Sequence, residues 1–160
     1  MDIVNKVNTM FWLNDNSVNE LNKRYGHRCY TFKTEGRIVY NPTRGKKTDP
    51  HWCIIELDKE ITRYYRYLFK KRFGYDLYSP SFDAHVSLLK GFETPKMSTE
   101  WKNLDGKVVE VLYDSNLYWN HQHVWLNSYC EEYFTLREFY EIPDWNTKDF
   151  SHITVGKFKA

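Results

Sequence analysis

Two stretches far apart in the chain spell nearly the same strand. HVSLLK at 85–90 and HITVGK at 152–157 agree at a histidine, a β-branched residue, a hydroxyl residue, an aliphatic residue and a lysine. The elements around them repeat too. HWCIIELD reads as a strand, KEITRYYRYLFKKRFG as a helix and AHVSLLKGF as the strand that follows. Later, GKVVEVLYD and a stretch within NHQHVWLNSY read as strands, EEYFTLREFYEI as a helix and SHITVGKF as a closing strand. Trp52 and Trp125 each fall in the strand before a helix, and His85 and His152 each fall in the strand after it. Two such copies predict an α+β fold of two pseudosymmetric lobes, each an antiparallel sheet backed by helix, with a central groove between them.

No Pro/Ser/Gly-rich linker or low-complexity tract divides the 160 residues, so a single domain spans 1–160. Within it, 1–50 forms an N-terminal extension, 51–92 the first-motif lobe and 107–158 the second-motif lobe. The extension is read as a short helix over Ser17–Tyr25, a hairpin of CYTFKT with GRIVYNP, and the solvated basic loop TRGKKTDP. In the first long helix Ile61, Tyr64, Tyr65, Leu68 and Phe69 share one face, and Gly74 supplies the stop.

Side chains alternate across a strand, so His85, Ser87 and Leu89 are expected on one face and Val86 and Leu88 on the other. Likewise His152, Thr154 and Gly156 oppose Ile153 and Val155. The aliphatic faces need helices packed on them, which leaves imidazole and hydroxyl to line the groove. That set suits phosphoryl transfer, in which one imidazole takes a proton from the attacking hydroxyl and the other protonates the leaving oxygen. Histidine fits because its ordinary pKa of about 6.5 leaves both forms accessible near neutrality. Ser87 and Thr154 would bind the non-bridging phosphate oxygens, Lys90 and Lys157 would add positive charge, and Phe150 and Tyr78 could stack on a base. The scheme calls for no cofactor and no metal. His121 and His123, with His51, are a weak candidate metal set beside it, with no carboxylate or Cys at a familiar ligand spacing.

On HVSLLKGF and HITVGKF the chain resembles the two-histidine (2H) phosphoesterase superfamily, whose signature is a pair of His-x-Thr/Ser motifs on the central strands of two pseudosymmetric lobes. The resemblance in element order covers roughly residues 50–158. It implies His85 and His152 as catalytic pair, Ser87 and Thr154 as phosphate binders, and Lys157 as a basic phosphate contact. It also implies a phosphodiesterase acting on RNA ends, oligonucleotides or cyclic dinucleotides, including viral and phage enzymes that destroy immune-signalling nucleotides. The long stretch before the first motif, with the basic loop Arg44 to Lys47, is expected to be a specificity element.

Composition narrows the substrate. With 23 basic and 21 acidic residues the net charge is only +2, too balanced for a protein that coats long nucleic acid. The expected partner is a small nucleotide or short oligonucleotide, with 13 Tyr, 10 Phe and 6 Trp available for stacking. The alternatives are a 2′,3′-cyclic phosphodiesterase of RNA end processing and a non-catalytic nucleotide-sequestering module. Cys29, Cys53 and Cys130 form neither an even disulfide framework nor a CxxC pair, which predicts a reducing cytoplasm, the host's if the chain is phage-encoded. No apolar run approaches the length of a membrane span, so no membrane partner is expected.

Overall fold

The computed structural model describes residues 32–91, 102–142 and 151–159. The expected helix over Ser17–Tyr25, Cys29 and Phe150 lie outside them. In chain order the elements are β1 (Phe32–Tyr40), β2 (Thr43–Arg44), β3 (Lys47–Thr48), β4 (Cys53–Glu56), α1 (Lys59–Phe73), β5 (His85–Leu89), β6 (Val108–Trp119), β7 (His123–Tyr129), α2 (Glu131–Phe139) and β8 (His152–Lys157). The fold is mixed α/β. Six strands close into an antiparallel barrel in the order β1-β4-β5-β8-β7-β6, and β2 with β3 forms a separate small hairpin.

The helix α1 forms where its ends are marked. Asp58 accepts a hydrogen bond from the Glu60 backbone N–H at 2.9 Å, and Gly74, left-handed at φ 70°, donates its N–H to the Lys70 carbonyl at 2.6 Å. Thr62, Tyr65 and Phe69 are its buried residues, with Ile61 and Leu68 packed at the margin of the core. Tyr64 does not join that face; it is 55% exposed, its ring edge-on to Tyr65. The hydroxyl of a tyrosine tolerates water, so an aromatic at helical spacing does not have to be inside. The end of α2 lacks a glycine. Glu141 adopts φ 53°, and the Glu141 and Ile142 N–H groups donate to Glu138 and Arg137 carbonyls at 3.0 and 2.9 Å, a Schellman closure with the wrong residue type in its left-handed position. Among the described residues no helix is long and apolar enough to cross a membrane.

The hairpin expected between CYTFKT and GRIVYNP is absent. β1 runs straight through Gly36, pairing over Phe32–Arg37 with β6 and over Arg37–Tyr40 with β4. A Cβ at Gly36 would sit 2.3 Å from Ile55 Cγ2 and 2.8 Å from the Glu56 carbonyl oxygen, so the glycine answers a close approach and not a turn. The strand it permits joins the two ends of the sheet.

The two copies share their register residue by residue. In the first, Cys53, Ile54 and Glu56 of β4 pair with Leu89, Ser87 and His85 of β5; in the second, Val124, Trp125 and Asn127 of β7 pair with Gly156, Thr154 and His152 of β8. Both ladders slip by one residue at the same step, between Cys53 and Ile54 and between Val124 and Trp125. Leu88 and Val155 are therefore the extra residues of two equivalent β-bulges. This register makes Ile54, not Trp52, the counterpart of Trp125. Trp52 lies one residue before β4, over Gly91, where any Cβ would collide with its indole.

Below the sheet the core is aliphatic and continuous. Ile55, Val86, Leu88, Val124, Leu126 and Ile153 are fully buried with Phe69 of α1 and Leu136 of α2, and each such side chain contributes roughly 1.5–3 kcal/mol. The helices are exchanged between copies: α1 packs on β8 and α2 packs on β5.

Candidate active site

The two motif strands are neighbours. β5 and β8 are joined at one bridged pair, Val86 with Ile153, both on the buried face. One residue to either side, that antiparallel register brings His85 toward Thr154 and Ser87 toward His152 on the opposite face, where all four are half-buried. His85 and His152 then form a diagonal pair, for which Cβ atoms typically lie about 7 Å apart. They are close enough that the charge of one opposes protonation of the other.

The expected assignment of faces needs correction beyond Ser87 and Thr154. Leu89 and Gly156 do not share the histidine face; they pair with buried Cys53 and Val124 on the core side. The bulges at Leu88 and Val155 cause this, because each inserts one residue and reverses the alternation. Lys157 is thereby returned to the histidine face, opposite His123, whose protonation it disfavours after burial. By the same alternation Lys90, half-buried one residue past β5, follows Leu89 to that side.

The carbonyls of these bulge residues are met by arginines from the exchanged helices. Arg66 of α1 donates to the Val155 carbonyl at 2.9 Å, and Arg137 of α2 donates to the Leu88 carbonyl at 3.3 Å. A buried carbonyl outside the ladder otherwise costs free energy, so each arginine makes the other copy's bulge tolerable. Arg66 does more. Its guanidinium grips both oxygens of Asp83 at 3.0 Å each, and Thr62 Oγ1 donates to the same carboxylate at 2.5 Å. The three favourable contacts outweigh burial and hold the Asp83 carboxyl below its ordinary range.

Asp83 and Ala84 set up His85. Ala84 is fully buried with φ 52°, a left-handed conformation disfavoured by roughly 1–2 kcal/mol in a residue with a Cβ. The turn it makes brings the Phe82 carbonyl under the imidazole, where Nδ1–H donates to it, and sets the Phe82 ring edge-on to the imidazole. With Nδ1 committed, Nε2 is the nitrogen available for proton transfer. Burial first, and then the neighbouring His152, push the His85 pKa down to about 4 against the Phe82 carbonyl and Asp83, so the imidazole is neutral at physiological pH. The second copy is held by hydroxyls instead: Ser151 Oγ donates to the Ser128 carbonyl at 2.7 Å and Ser128 Oγ to Ser151 Oγ at 3.0 Å.

The remaining candidates divide. Tyr78 is 55% exposed beside Lys157, joined to it by two backbone hydrogen bonds of 2.9 Å, with the Lys159 ammonium over its ring. That places it past the Gly156 end of β8 and away from the histidine diagonal. The basic loop is the β2–β3 hairpin, in which Arg44 and Lys47 both pair with buried Asp49 and Arg44 covers the Phe82 ring at 5.4 Å. Among the described residues no three His, Cys, Asp or Glu side chains form a group suited to a metal ion, His51, His121 and His123 included. Sequence reasoning missed three neighbours of the site. Trp125, beside Thr154, is fixed by its indole N–H to Asn127 Oδ1 at 3.1 Å and stacked on Tyr118. Asn127 sits beside His152 and Glu56 beside His85; only the register, which the repeat hinted at, could have found them. Against known proteins the chain matches no family model, no curated protein and no solved structure.

Proposed function

We propose that the chain is a phosphodiesterase of the two-histidine kind that cleaves small cyclic or short oligonucleotides. The observation that carries the reading is the mirrored placement of His85, Ser87, His152 and Thr154 about the Val86–Ile153 bridge, on the face that the helices leave uncovered. The matched registers likewise support reading the barrel as two three-stranded lobes across a groove, as the 2H resemblance implies.

In this scheme neutral His85, its Nε2 free, removes the proton from an attacking ribose hydroxyl or water as the new O–P bond forms. The leaving O–P bond breaks as His152 donates a proton to the departing oxygen. Ser87 and Thr154 hydrogen-bond the non-bridging oxygens as negative charge builds on them, and Lys157 adds positive charge. Attack by a ribose hydroxyl leaves a 2′,3′-cyclic phosphate; attack by water opens one. Both proton transfers use imidazole, so the reaction needs no metal ion.

The test is chromatography of products formed by wild type and His152→Ala in excess chelator. The panel holds cyclic dinucleotides, cyclic oligoadenylates, 2′-5′ oligoadenylates and 2′,3′-cyclic nucleotides. Turnover of one class by wild type alone supports the scheme and names the substrate. Turnover confined to 2′,3′-cyclic nucleotides assigns RNA end processing, and binding without turnover assigns a sequestering module.

A further inference from the structure

Beside His85, and continuous with it, lies a cleft of about 470 Å³. Its walls are β1, β4, the start of the β2–β3 hairpin, the first turn of α1 and the turn before β5. The volume is that of a small-molecule site. Ile54, Leu57, Val39 and Pro42 make the walls apolar, and Phe82, whose ring carries the Arg44 guanidinium at 5.4 Å, completes the lining.

The polar groups in the cleft are the carboxylates of Glu56, Asp58 and Asp83, with Thr43, His85 and the ammonium of Lys59. Asp83 is consumed by Arg66 and Thr62, and Asp58 caps α1. Glu56 is different: it is exposed, paired in register with His85, and among the described residues its carboxylate has no hydrogen bond or ion pair. With Asp83 neutralised by Arg66, a second phosphate here would meet Glu56 and Asp58 against one cation, Lys59, and is not favoured. A nucleobase with donors on its edge is.

We propose that this cleft takes the base of the nucleotide whose phosphate lies between the histidines, and that Glu56 selects an amino-bearing base, guanine above all. The inference rests on the phosphodiesterase reading. Guanine presents N1–H and the 2-amino group side by side, matching both carboxylate oxygens; adenine and cytosine offer one amino group. Uracil presents a single N3–H flanked by two carbonyl oxygens that face the carboxylate unfavourably. Contact with Phe82 is open to every base and therefore does not discriminate.

The experiment is titration of full-length wild type and Glu56→Gln with the four nucleoside 3′- and 5′-monophosphates. Calorimetry gives the affinities, and the Ile54 methyl resonance reports entry into the cleft. Wild type is expected to prefer guanosine to uridine by about 10-fold, the discrimination of one good bidentate contact, with the Ile54 methyl shifting. Glu56→Gln is expected to remove most of that preference, since an amide both donates and accepts. Equal affinities, absence of binding by all four bases, or a preference unchanged in Glu56→Gln overturns the inference. Turnover of the 2′,3′-cyclic nucleotides and cyclic dinucleotides by the same protein preparations separates the two readings: turnover without base preference removes the pocket alone, and base-selective binding without turnover removes the chemistry alone.

Discussion

Replacing Arg66 with glutamine tests whether the site is held by the exchanged helices. Three hydrogen bonds disappear: two to Asp83 at 3.0 Å and one to the Val155 carbonyl at 2.9 Å. Val155 is fully buried and its carbonyl belongs to a bulge, so leaving it unmet costs about 1–3 kcal/mol. The ion pair is only partly exposed, 15% for Arg66 and 29% for Asp83, which places its loss between the surface and buried limits, at about 1–2 kcal/mol. Together they predict a destabilisation of about 3 kcal/mol. With a urea dependence of about 2 kcal/mol per molar, the unfolding midpoint falls by about 1.5 M at unchanged slope.

A second readout is specific to the site. The charges around His85 are His152 from β8, Asp83 from its own turn, Glu56 from β4, Asp58 and Lys59 at the start of α1, and Arg44 beyond Phe82. Asp83 favours the imidazolium, and Arg66 neutralises Asp83. In Arg66→Gln the His85 titration followed by NMR therefore moves upward, and the acid limb of kcat/KM moves with it. Arg137→Gln, which frees the Leu88 carbonyl and uncovers the Tyr133 ring, is expected to cost about 1–2 kcal/mol and to leave the His85 titration in place. A midpoint unchanged in Arg66→Gln, or equal His85 titrations in the two variants, refutes the reasoning.

Acid should weaken the fold through His85. Its folded pKa of about 4 lies below the ordinary 6.5, so between those values the unfolded chain binds a proton that the folded chain refuses. Stability then falls as pH drops through that window, by at most about 3 kcal/mol, and His85→Gln should flatten the slope in pH-dependent denaturation. Gly36→Ala forces a methyl against Ile55 and the Glu56 carbonyl and should lower stability by about 2 kcal/mol, read as a drop in Tm. Glu141→Gly relieves a left-handed residue at the end of α2 and should raise stability by about 1 kcal/mol in urea.

The parts legible in the sequence were those written locally. Asp58 and Gly74 bracket α1, and the His-x-Ser/Thr strands alternate as expected over their first three residues. What escaped depends on residues distant in sequence. Gly36 reads equally as a turn or as space for Ile55, and only the neighbour distinguishes them. A one-residue bulge leaves no mark in HVSLLK or HITVGK, yet it reverses the faces of Leu89, Gly156 and Lys157. Arg66 looks like one more cation on a charged helix; its partners Asp83 and Val155 lie 17 and 89 residues away. Trp52 and Trp125 invited pairing because they share a residue type, whereas the ladders match Trp125 with Ile54.

The exchange of helices has a consequence for dissecting the chain. Either half expressed alone would lose the motif strand on which its helix chiefly packs and the helix that covers its own motif strand. Such fragments should be poorly folded singly and should complement each other when mixed. Two copies of one half could satisfy themselves only by trading helices, which is the arrangement expected if a swapped homodimer were later fused into one polypeptide.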